Sequence, residues 1–268
     1  MNAQHVPDRW ERGSPYERYI GRWSRGVAPL FLSWLDNPAG KAWADVGCGT
    51  GALSATILEQ CAPARLVGVE PSDGFRQLAM QELGDRAEFR SGKAAELPLV
   101  NASCDMVVSG LVLNFVPDIR AALLEMIRVA APGGTVAAYV WDYAEGMEVI
   151  RQFWDAAELL DPAAAGLHEG ARFPVCNPGA LQSAFEDVGL TQVAVAPLDL
   201  IAEFTDFDDY WQPFLGGQGP APAYVTSLPE DRRALLRDSL RSRLSPGNGV
   251  VRLGARAWAV RGARRSDA

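Results

Sequence analysis

What the chain lacks narrows the field first. Its 268 residues include two histidines, His5 and His168, far apart, and four cysteines, Cys48, Cys61, Cys104 and Cys176, without a CxxC pair. Neither set has structural-zinc spacing, so no metal is expected. No apolar run approaches the ~18 residues of a membrane helix, and Met1 to Arg12 is polar, without a signal-peptide core. These features point to a cytoplasmic protein with reduced cysteines and no membrane span. Positive charge is not in surplus either: the net charge is −8, which disfavours a phosphate backbone as partner. Five arginines between Arg252 and Arg265 read as a solvated strand edge and tail, not a nucleic-acid patch. No internal repeat or low-complexity tract is present.

Apolar residues supply 48% of the chain, ample for one large domain or a domain with a cap. The organising stretch is Lys41 to Gly51, KAWADVGCGTG. Ala42 to Val46 reads as a short buried strand. Gly47, Gly49 and Gly51 follow as a loop in which backbone approaches a ligand. Ala52 to Leu58 reads as a helix, so the loop delivers the ligand to a helix N-terminus. Ala64 to Val69 is a second strand ending in Glu70, an acidic residue placed for a ribose. The run Gly47 to Ala52 also satisfies GxGxxA, which keeps a nicotinamide-dependent oxidoreductase as an alternative. Asp45 weighs against it: two residues before the first glycine, it would repel a pyrophosphate and attract an ammonium group.

On these residues the chain resembles the class I methyltransferases dependent on S-adenosyl-L-methionine (SAM), the ligand with such an ammonium group. The run Arg128 to Gly134, RVAAPGG, matches that family's helix-turn-strand signature, and the overall pattern is similar to its type 11, ubiquinone-biosynthesis-like branch. The resemblance implies a Rossmann-like, doubly wound, mostly parallel seven-stranded α/β sheet. It also implies SAM as cofactor and a small-molecule methyl acceptor. Ser91 to Pro98 resembles the family's adenine segment, where an aspartate commonly receives the adenine amino group. That position is Lys93 here, which has donors only. Adenine recognition is therefore assigned to backbone at Ala94 and Ala95, or to another neighbour. Arg22, on an N-terminal segment that often closes over SAM in relatives, is a candidate for the methionine carboxylate, with Tyr16 beside the same mouth.

Further along, the expected elements are a helix at Gly74–Glu82 and strands at Arg86–Arg90, Cys104–Ser109 and Thr135–Trp141. Between the last two, a helix is capped by Asp118 and stopped by Pro132-Gly133-Gly134. Helices follow at Met147–Leu160 and Pro178–Val188, separated by a loop at Asp161–Asn177. Strands at Thr191–Ala196 and Val250–Val260 would complete the family's sheet as an antiparallel pair. Tyr16 to Leu35 should form two short helices or one kinked at Pro29.

The expected division is an N-terminal segment, 1–36, a SAM-binding core, 37–203, a helical cap insertion, 204–248, and a last strand and tail, 249–268. The insertion carries Phe204, Phe207, Tyr210, Trp211, Phe214 and Tyr224, read as lining an acceptor pocket, with Gly216 to Pro222 as a hinge and a helix at Pro229–Leu244. Cofactor-binding candidates are Arg22, Asp45, Gly47, Cys48, Gly49, Gly51, Glu70, Pro71, Ser72, Ala94, Ala95 and Ser109. No catalytic base is declared; Asp142, Tyr143 and His168 are the candidates. Asn114 reads as a helix-terminus residue in preference to an acceptor-site group. O-, N- and C-methylation all stay open, and a non-catalytic SAM-binding protein is a third reading.

Overall fold

The protein is described by a computed structural model covering residues 22–36, 38–216, 219–245, 247 and 249–266, with Arg22 described for its backbone alone. Tyr16 and the start of the N-terminal segment lie outside the described residues. Contacts group the chain into two units. One holds Ser24–Trp141, Val175–Leu198 and Arg256–Ala268; the other holds Met1–Trp23, Asp142–Pro174 and Asp199–Ala255. The 204–248 segment falls wholly in the second unit, together with Asp142–Pro174, which the sequence grouped with the core.

Helix α1, Arg22–Leu35, which belongs to the first unit from Ser24 onward, runs unbroken through Pro29. Strand β1, Ala42–Val46, is followed by α2, Ala52–Gln60, and β2, Arg65–Val69. Next come α3, Asp73–Leu83, and β3, Glu88–Arg90, shortened because Gly84–Arg86 turns as a 3-10 helix. Then follow β4, Cys104–Gly110, α4, Ile119–Val129, and β5, Ala130–Trp141. In α4, Asp118 caps the start by accepting from Ala121 N–H at 2.9 Å.

Pro132-Gly133-Gly134 does not stand outside β5 as a turn. Gly133 N–H donates to Arg264 O at 3.1 Å and Arg264 N–H to Gly134 O at 2.8 Å, drawing the run into the sheet. Pairing with β4 shifts register across the run: Cys104 stands opposite Ala130 and Met106 opposite Thr135, so the extra residues bulge on β5.

Past β5 the chain forms α5, Glu148–Leu160, then a 3-10 helix at Pro162–Leu167 and the short α6, Glu169–Arg172, where the sequence reading expected only loop. Helix α7 is Pro178–Asp187, and β6 is Thr191–Phe204, eight residues longer than expected. After it come α8, Phe207–Trp211, a 3-10 helix at Gln212–Gly216, α9, Pro220–Ser227, α10, Glu230–Leu244, and β7, Val251–Ala263. Pro220 starts α9, so the expected hinge is half helix; residues 217 and 218 lie outside the described ones.

The strands assemble as one sheet in the order β3-β2-β1-β4-β5-β7-β6. Neighbours from β3 to β5 are parallel, and β7 runs antiparallel to β5. The strand order reverses between β1 and β4. In a doubly wound sheet that switch point opens a crevice at the carboxyl ends of the strands. Val46 and Val107 are fully buried, the mark of central strands covered on both faces.

The second unit has its own core. Phe153, Phe207, Tyr210 and Phe214 are all 1% exposed or less. Phe153 and Phe214 stack at 4.7 Å between ring centroids, and Tyr210 OH donates to Val149 O at 3.0 Å. The aromatics read from the sequence as pocket lining are therefore the interior of this unit; of the six, Tyr224 alone is half-buried. Arginines of the last strand are likewise committed: Arg261 Nη1 donates to Trp34 O at 3.2 Å, and Arg264 Nη1 to Ala130 O at 2.6 Å.

Candidate functional site

The loop after β1 is built by backbone geometry. Gly47, Gly49 and Gly51 have φ of 72°, 55° and 93°, a region that side chains resist. Each has a different neighbourhood. A Cβ on Gly47 would lie 2.6 Å from Val112 Cγ1, so the loop after β4 presses directly on it. A Cβ on Gly49 would meet nothing within 4 Å. The tip of the loop thus faces open space, with its conformation alone demanding glycine. Gly47 N–H donates to Val69 O at 2.8 Å and Gly51 N–H to Cys48 O at 2.9 Å, tying the loop to β2 and to itself.

Two carboxylates flank it. Glu70 is buried, and its oxygens accept from Gly49 N–H at 3.0 Å and Ser72 N–H at 2.8 Å. It latches the glycine loop to the turn after β2. Each oxygen keeps a second lone pair, so ribose hydroxyls remain acceptable donors. Burial raises its pKa, and the two N–H bonds oppose that rise.

Asp45 is 1% exposed. Its Oδ2 accepts from Ser54 Oγ at 2.7 Å, while Oδ1 is buried without a partner among the described residues. Burial pushes its carboxyl up to about 7, opposed by the Ser54 bond. Ser54 was not singled out in the sequence; its signal is a hydroxyl one turn into α2, nine residues after Asp45.

Other candidates separate into those that face the site and those that do not. Pro71 lines a cleft with Gly92 and Lys93. Ser72 caps α3, its Oγ accepting from Phe75 N–H at 3.4 Å. Ala94 and Ala95 are the central residues of a turn closed by Glu96 N–H to Lys93 O at 3.0 Å, which leaves their own N–H groups outside that bond. Cys48 points inward: a Cβ on Gly68 would lie 2.8 Å from its Sγ, and burial with the two carboxylates keeps it a thiol. Its part is loop shape. Ser109 is fully buried, with Oγ donating to Val46 O at 2.8 Å, so its side chain bridges β4 to β1.

The side chain of Arg22 lies outside the description. Asn114, read as a terminus residue, has a buried Nδ2 without a partner among the described residues.

The three candidate bases sit in the second unit. Asp142 is buried and its Oδ1 accepts from Glu145 N–H at 3.1 Å. Tyr143 is buried with its ring 5.6 Å from that of Phe173. His168 Nδ1 accepts from Gly170 N–H at 2.9 Å, which assigns the neutral ring's proton to Nε2. Its outward nitrogen is then a donor, and burial lowers its pKa. Among the described residues, no cluster of three His, Cys, Asp or Glu side chains is arranged for a metal, and no helix is long and apolar enough to cross a membrane.

The chain is similar to known proteins. The family described as a methyltransferase domain matches residues 44–138, from within β1 to within β5. The malonyl-[acyl-carrier protein] O-methyltransferase of Serratia marcescens is 26% identical, over 63% of this chain and 70% of its own length. The demethylmenaquinone methyltransferase of Roseiflexus castenholzii is 37% identical over 35% of this chain and 40% of its own. The chain thus matches less than half of the second relative's length. A solved structure of phosphoethanolamine N-methyltransferase 2 from Haemonchus contortus, in complex with SAM, aligns with a TM-score of 0.60 at 13% identity. That alignment covers 100% of this chain and 62% of the other, and at such identity it shows the fold. Residues 44–138 accordingly match a methyltransferase domain, and the relatives that share this stretch are themselves named as methyltransferases.

Proposed function

We propose that this protein methylates a small-molecule acceptor, with SAM held at the carboxyl ends of β1, β2 and β4. The observation that carries the assignment is the buried Oδ1 of Asp45, which has no partner among the described residues. A buried carboxylate oxygen without a donor is costly, and an ammonium group removes that cost. The residues therefore fit the cofactor's methionine end.

The remaining roles are assigned on the same reading. Glu70 accepts from the ribose while holding Gly49 and Ser72. The tip at Gly49 admits the ligand against bare backbone, and the N-terminus of α2 supplies uncommitted N–H groups beyond it. Pro71, Ala94 and Ala95 border the base, and Arg22 is assigned the methionine carboxylate. When bound, SAM supplies a methyl group already activated on a sulfonium. The protein's work is alignment for in-line attack and exclusion of water.

Acceptor selection is assigned to the segment 204–248. The relatives named for malonyl-[acyl-carrier protein] and demethylmenaquinone support an acceptor that is not a nucleic acid, as does the net charge of −8. The buried cysteines support a cytoplasmic location. A thermal-shift series tests the cofactor assignment: SAM and S-adenosylhomocysteine should raise the melting temperature, and NAD should not. Stabilisation by NAD alone would return the glycine loop to the oxidoreductase reading.

A further inference from the structure

Beside Glu70, a cleft of about 460 Å³ is lined by Pro71, Gly92, Lys93, Glu96, Leu97 and Pro98. Its inner wall is tight: a Cβ on Gly92 would lie 2.6 Å from Pro98 Cδ and 2.9 Å from Val69 Cγ1. Its lip is the turn 93–96, whose ends, Lys93 and Glu96, pair as an antiparallel bridge. Residues paired in that way project their side chains to the same face. Both side chains are exposed at the cleft, and neither is bonded or ion-paired to a described residue. The chain thus sets a group that can only donate beside a group that can only accept.

Adenine's outer edge carries the complement: a 6-amino group that donates beside a ring N1 that accepts. Hypoxanthine carries the reverse, a 6-oxo acceptor beside an N1–H donor. We propose that Glu96 and Lys93 together read the adenine edge of the cofactor, Glu96 accepting from the amino group and Lys93 donating to N1. The inference rests on the assignment of SAM to this site. It also answers the Lys93 departure, since the acidic acceptor expected at position 93 stands three residues later, across the turn.

Calorimetric titration of the full chain with S-adenosylhomocysteine and with its 6-oxo analogue, S-inosylhomocysteine, tests the proposal. Wild type should prefer the adenosyl ligand. Glu96→Ala should weaken it about fivefold to tenfold, a modest loss because the carboxylate is exposed. The same variant should leave the inosyl ligand as it was, with an unchanged melting temperature. Adding Lys93→Asp to Glu96→Ala should not restore the preference but shift it toward the inosyl ligand, because an acceptor opposite N1 matches the N1–H of hypoxanthine. If wild type binds the adenosyl ligand and Glu96→Ala binds it equally, with its preference intact, the proposal is overturned and the cofactor assignment stands. If wild type binds neither ligand, the cofactor assignment itself fails and takes this inference with it.

Discussion

Asp45→Asn should make the unliganded protein more stable and the ligand weaker, with both effects set by pH. Burial lifts the Asp45 carboxyl from 3.8 to about 7. A carboxyl raised in the folded state carries its full stability where both states are protonated, below about 3.8, and loses it as pH rises through about 7. Above that window the ionised form is penalised by about 4 kcal/mol. Asparagine keeps an acceptor for Ser54 and carries no charge, so its stability has no matching dependence. The gap between variant and wild type should widen by about 2–3 kcal/mol from pH 5 to pH 8, and other titrating groups cancel in the difference.

Urea unfolding at several pH values reads that gap. Binding should run the other way. An ammonium ligand selects the ionised carboxylate, so wild-type affinity for S-adenosylhomocysteine should tighten about tenfold from pH 6 to pH 8, and Asp45→Asn should lose that dependence. Parallel stability curves from pH 5 to pH 8 would refute the reasoning. They would mean that Asp45 is solvated, or that its second oxygen has a partner.

Three further outcomes are expected. Glu70→Ala should weaken S-adenosylhomocysteine about tenfold to a hundredfold by calorimetry, with circular dichroism as folding control; unchanged affinity in a folded variant removes Glu70 from the site. Phe214→Ala should cost about 3–5 kcal/mol of stability, because a fully buried, stacked ring is deleted, while affinity for S-adenosylhomocysteine stays near wild type; a folding-neutral variant with altered acceptor selectivity would restore the pocket-lining role. Arg22→Ala should weaken SAM and S-adenosylhomocysteine alike and spare adenosine, which lacks the carboxylate; equal weakening of all three would assign Arg22 to packing.

The core of the fold was legible because its signals are steric. A loop with three left-handed positions after a buried strand demands Gly47, Gly49 and Gly51, and Asp45 and Glu70 stand at strand ends that parallel pairing fixes. Features set by tertiary partners were not legible. β6 continues past Pro197 and Asp199 because it lies at the sheet edge, where a missing N–H is tolerated. Pro132-Gly133-Gly134 joins β5 only because Arg264, far away in sequence, meets it. Cys48 and Ser109 sit in the right motifs, but one-residue alternation turned their side chains inward. The aromatics from Phe204 to Phe214 have the composition of a binding surface and of a core alike, and burial alone separates the two.

The central claim is methyl transfer, and its most direct measurement uses SAM labelled in the methyl group, incubated with a metabolite extract and the full chain. The account predicts label in a small-molecule product, formed by wild type and reduced in Glu70→Ala. A folded wild type that binds SAM yet transfers no label to any extract component, across pH 6 to 8, would contradict it and favour a protein that binds the cofactor without using it.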